Sequence, residues 1–95
     1  MNDEQLNKAI GRAQRAANLL ADPTLVEARE HIEAELWRQF QRVPPSDTEA
    51  LQYVAGMRYL HEKYFAFLAS AVNDGKLASL EIERRKKTLR EKIFG

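Results

Sequence analysis

The chain predicts an all-α fold, and three observations carry that reading. Apolar residues recur at three- and four-residue spacing along most of the 95 residues, no stretch alternates with a period of two, and prolines cut the pattern into helix-sized pieces. The expected architecture is a helical hairpin with a long third helix and a basic C-terminal helix, a small bundle completed by dimerisation. Residues 1–95 read as a single helical domain, with 76–95 as a basic C-terminal helical tail. At this length a core is small relative to its surface, so a partner surface adds needed burial.

The first helix is expected from about Asp3 to Ala21. Leu6, Ile10, Ala13, Ala17 and Leu20 line one face, Asn2 or Asp3 can cap the start, and Asp3 and Glu4 suit the positive helix N-terminus. Alanines at 9, 13, 16 and 17 permit close approach of another helix. Asp22-Pro23 then supplies an N-cap followed by proline at the first helical position, where its missing amide costs nothing. The second helix follows to about Arg42, with Leu25, Ala28, Ile32, Leu36, Phe40 and Val43 on its apolar stripe and Trp37 beside it.

Val43-Pro44-Pro45-Ser46-Asp47-Thr48-Glu49 is the corner of the hairpin. The prolines cannot continue a helix, Pro44 pushes Val43 toward extended geometry, and Ser46 with Glu49 spells a capping box that restarts one. The third helix is expected from about Asp47 to Asn73, with apolar surface on two sides. Gly56 is read there as a site of close helix packing. Asn73-Asp74-Gly75-Lys76 reads as a C-terminal cap with Gly75 left-handed, and a last helix from Leu77 to Ile93 as its sequel.

Composition bounds the function. With 44% hydrophobic and 31% charged residues, the chain is too apolar for a disordered tail and too charged for a membrane protein. No apolar run approaches the roughly 18 residues of a membrane span. The acidic start Met-Asn-Asp-Glu-Gln argues against a secretory signal, so a cytoplasmic location is expected. Without cysteine there is no disulfide, thiolate nucleophile or cysteine-ligated metal.

Catalytic and cofactor patterns are mostly missing. Glu27, His31 and Glu35 fall four residues apart on one helix edge, but neither His31 nor His61 has Glu three positions before it, as a carboxylate-bridged metal bundle requires. No serine sits in a nucleophile motif, and Gly11, Gly56, Gly75 and Gly95 are too scattered to cradle a phosphate. The expectation is a non-enzyme with no cofactor and no metal.

Two groups of residues point instead to binding. Trp37, Phe40, Tyr64, Phe65 and Phe67 are the candidate association surface, because a single neighbouring helix cannot cover a two-sided aromatic helix. Arg84, Arg85, Lys86 and Lys87 are the candidate site for an anionic partner. Residues 1–75 hold 8 Lys+Arg against 11 Asp+Glu, a net −3, while 76–95 hold 7 against 3, a net +4. Such asymmetry can mark a nucleic-acid arm, yet it more often marks a solvated basic face suited to a helix C-terminus.

Leu19-Leu20-Ala21-Asp22-Pro23, the Glu-rich helix with Trp37, Pro-Pro-Ser-Asp-Thr-Glu-Ala at 44–50 and Asn-Asp-Gly-Lys-Leu-Ala at 73–78 together resemble a family of short helical proteins. These are encoded by tailed bacteriophages near genes for virion structure and assembly. The resemblance covers about residues 17–80. It departs at Ala50-Leu51, where Arg-Glu often follows the turn, and in the basic tail. It implies a structural or assembly role and no catalytic residues. The resulting expectation is a phage-encoded assembly accessory acting through helix-mediated association. A homodimer is favoured, a phage structural or assembly protein is the candidate partner, and nucleic-acid binding through the basic segment is the alternative.

Overall fold

The computed structural model describes residues 1–95 as three α-helices without a strand: α1 (Asp3–Ala21), α2 (Pro23–Arg42) and α3 (Thr48–Phe94). All-α is therefore the fold class. The chain divides into two compact units, one formed by Met1–Leu19 with Leu68–Gly95, the other by Leu20–Phe67.

Each helix start is fixed by a side chain that satisfies amides left free by the first turn. At α1 the cap is Asn2, whose Oδ1 accepts from the Gln5 amide at 2.8 Å. The Gln5 side chain accepts in return from the Asn2 amide at 3.0 Å, a reciprocal capping box. Asp22 caps α2, accepting from Thr24 and Leu25 with Pro23 in the first turn. Val43 ends α2 in extended geometry, as a residue before proline should. At the corner the expected box of Ser46 and Glu49 does not form. Asp47 is the cap, its Oδ1 accepting from the Ala50 amide at 3.1 Å while its own amide donates to the Pro44 carbonyl. A carboxylate nearer the first turn satisfies those amides and also suits the helix dipole.

The expected stop at Asn73-Asp74-Gly75-Lys76 is overturned. α3 runs without interruption from Thr48 to Phe94, so there is no separate basic C-terminal helix, and no glycine has positive φ. The reason lies in the first unit. There α1 and the C-terminal part of α3 are antiparallel, with Asp3 against Arg85, Leu6 in one cluster with Ala78 and Ile82, and Ala13 against Gly75. Leu68, Ala71, Gly75, Ala78, Ile82 and Arg85 make a three-four repeat turned inward, facing Leu6, Ala9, Ala13 and Ala16. A Cβ on Gly75 would overlap Ala13 Cβ and lie 3.3 Å from the Ala9 carbonyl. Helical glycine costs about 1 kcal/mol, and the close approach it allows offsets that. The inward face of α1 is thus shifted from the expected one: Ala9 and Ala16 are buried and Ala17 is exposed.

In the second unit α2 and the N-terminal part of α3 form the hairpin. Leu36, Val54 and Phe65 are its buried apolar residues, while Leu25, Val43 and Leu51 are half-buried and Ile32 is exposed. The register is set by Arg29 over the Phe65 ring at 4.3 Å and by His61 Nε2 lying 3.3 Å from Glu33 Oε1. Gly56 has nothing within 4 Å, so no part of the chain packs on it, contrary to the sequence reading. The close packing read at Gly56 falls to Gly75, and neither glycine ends a helix.

Candidate functional site

Of six large apolar side chains that stand outward on α3 within the second unit, Tyr59 lies apart and five share a face: Tyr53, Met57, Leu60, Tyr64 and Phe67. Their spacing is four, three, four, three, so they form one stripe. At 100° per residue this stripe lies about a quarter turn from the buried line of Val54, His61 and Phe65. Tyr53, Leu60 and Phe67 are 68%, 69% and 68% exposed and Tyr64 is 53% exposed, so no element of the chain covers them. Gly56 adjoins the stripe between Tyr53 and Leu60 and leaves a gap in the helix surface.

The expected association residues separate into three places. Tyr64 and Phe67 belong to the stripe. Phe65, 9% exposed, is corrected to an interior residue: the Arg29 guanidinium covers its face, and His61 and Tyr64 meet it edge-on at 4.9 and 5.1 Å. Trp37 and Phe40 stack with centroids 5.7 Å apart on the other side of the hairpin. With Leu36, Leu51, Val54 and Ala55 they line a groove of about 610 Å³ between α2 and α3. Tyr53, Met57 and Leu60 were not singled out from the sequence. Their unbroken three-four spacing, out of phase with Val54, His61 and Phe65, was the signal that could have found them.

Several charged groups of the hairpin are paired with one another. The hydrogen bond with His61, and then the Arg29 guanidinium, hold the Glu33 carboxyl below the usual carboxylate range. Arg38 does the same to Glu35, and Arg58 pairs with Glu62 at 3.0 Å. Glu27, His31 and Glu35 do not converge, and no group of three or more His, Asp or Glu side chains could hold a metal ion.

Much of the basic segment is committed within the first unit. Arg84 donates twice to Glu81, and Arg85 reaches Glu81, the Asp3 carboxylate at 2.8 Å and the Met1 carbonyl. These bonds, Arg84 first and Arg85 second, bring the Glu81 carboxyl down to about 2. Both arginines are raised in turn, Arg84 by Glu81 and Arg85 by Asp3 and then Glu81. Lys86 lies 3.7 Å from Glu83. Of the four expected anion-binding residues, only Lys87 is left without an acidic partner. Arg90 and Lys92 are also free of one, but the three do not line a single face of α3.

Fold and surface together define the class: an all-helical chain whose longest helix turns one apolar stripe inward and a second outward. No helix is long and apolar enough to cross a membrane. Comparisons with protein-family models, curated proteins and solved structures find no match to the chain.

Proposed function

We propose that the chain is a non-catalytic association module that works by docking the outer stripe of α3 against another helical surface. The observation that carries this reading is the stripe itself. Taking 150–250 Å² for a whole aromatic side chain, its five residues expose about 500 Å² of contiguous apolar surface, at the upper end of what a monomer ordinarily leaves to water. Resemblance to short helical proteins of tailed phages makes accessory work in virion assembly or DNA packaging the setting we propose. A nucleic-acid partner ranks lower, because Arg84, Arg85 and Lys86 already face carboxylates of the same unit.

Hydroxyl-radical labelling tests the reading without naming the partner. Tyr53, Tyr64 and Phe67 should label fully in dilute purified protein and be protected in concentrated protein or in extract of the native host. Equal labelling under every condition would mean that nothing covers the stripe, and the reading would fall.

A further inference from the structure

The occupant of the stripe can be named from the charges along its edge. Between Glu49 and Phe67, α3 carries four charged residues besides His61: Glu49, Arg58, Glu62 and Lys63. Arg58 and Glu62 pair with each other on the far side, toward the groove. Glu49 and Lys63 have no ion-pair partner in the structure; the Lys63 ammonium lies only over the Tyr59 ring, at 5.4 Å. Both fall on the stripe's outer edge, each seven residues, or about two helical turns, from Gly56. One end of this edge is therefore negative, the other positive, and its midpoint is a glycine with open space above it.

We infer that the stripe is covered by a second copy of this chain, with the two α3 helices antiparallel and related by a two-fold axis at Gly56. This inference rests on the association reading above and names its partner. The two glycines let the backbones approach, and Tyr53 and Leu60 of both copies close around the contact. Glu49 of each copy then faces Lys63 of the other. A parallel pair in register would set Glu49 against Glu49 and Lys63 against Lys63, and like charges across an interface oppose association. The two stripes supply at most about 500 Å² each, about 1,000 Å² in total, the lower limit for a specific interface. A two-fold interface must be self-complementary, and an edge with opposite charges at equal distances from its midpoint has that property.

The absence of cysteine makes the test clean. The variant carrying both Glu49→Cys and Lys63→Cys should cross-link into a covalent dimer with a short thiol-reactive linker, whereas each single variant should not. In parallel, light-scattering chromatography over a dilution series should show a dimer. At low salt E49K alone should weaken it about tenfold, and the swap E49K/K63E should restore it to within about threefold, because exposed pairs are small in energy but sign-dependent. Cross-linking of the single variants, or a dimer indifferent to these charges, would overturn the antiparallel geometry while leaving association through the stripe intact. A monomer at every concentration would overturn the second copy as occupant. Protection of Tyr53, Tyr64 and Phe67 in host extract alone would then assign the stripe to a different protein, and no protection anywhere would remove the association reading as well.

Discussion

Ala13 and Gly75 meet so closely across the first unit that a single added methyl group at Gly75 would overlap the Ala13 side chain. The contact explains how a helix passes through Asn73-Asp74-Gly75-Lys76, a run whose residues individually favour turns and caps. It also gives two glycines of one helix opposite mutational signs.

Gly75→Ala should destabilise the protein. Better helix propensity returns at most about 1 kcal/mol, whereas overpacking a close contact costs about 1–3 kcal/mol, for a net loss of roughly 1–2 kcal/mol. Gly56→Ala meets only open space and should stabilise dilute protein by about 0.5–1 kcal/mol. Urea denaturation of the two variants beside the parent checks both signs, and equal effects would contradict the helix contact at Gly75.

The corner offers a second contrast. Asp47→Ala removes the acceptor for the Ala50 amide and should cost about 1 kcal/mol. Ser46→Ala, at the position the capping-box reading favours, should change stability by no more than about 0.5 kcal/mol. Thermal unfolding followed by circular dichroism distinguishes them; a larger loss at Ser46 would restore the capping box.

Phe65 and Phe67 are two residues apart and belong to different environments. Phe65→Ala empties a buried site beneath Arg29 and should cost about 3–5 kcal/mol. Phe67→Ala removes an exposed ring and should leave the unfolding of dilute protein within about 0.5 kcal/mol of the parent, while weakening association. Comparable losses for the two in dilute protein would mean that Phe67 packs inward.

Acid sensitivity follows from Glu81, which Arg84 and Arg85 lower from 4.5 to about 2. A carboxylate lowered in the folded state binds fewer protons than the unfolded chain does, so its contribution is fully present above pH 4.5 and is lost as pH falls toward about 2. Glu33 and Glu35 are lowered in the same direction. Melting temperatures measured through this window should fall, and Glu81→Gln should flatten the fall. An unchanged slope in that variant would show that the Glu81 pairs do not persist in solution.

Some of this was legible in the sequence because it is local. Leu6 and Ile10 lie on one helical face wherever that helix packs, Asp22-Pro23 starts a helix from its own atoms, and Val43 before Pro44 must extend. The all-α class and the hairpin corner followed from such rules. The roles of Gly56 and Gly75 did not, because both meanings of a helical glycine, weak point and close approach, are written in the same residue. Its meaning depends on what lies opposite, here the Ala9 carbonyl and Ala13 for Gly75 and nothing for Gly56. Phe65 was misplaced for the same reason. Two adjoining aromatic stripes look alike until Arg29 and His61 settle on one of them.

By itself the sequence determined that this protein is helical, that its chain breaks at Asp22-Pro23 and Val43-Pro44, and that its longest helix has more apolar surface than one neighbour can cover. Those properties come from interactions within about four residues, where periodicity, capping and proline geometry act. Only the tertiary structure decided which stripe of α3 is inside, that Gly75 lies within a helix and does not end it, and that Arg84 and Arg85 bind their own unit's carboxylates. These outcomes depend on the register between segments far apart in sequence, such as Asp3 against Arg85 and Glu33 against His61. A shift of one residue in that register turns every side chain by 100° and gives the helix a different face to bury.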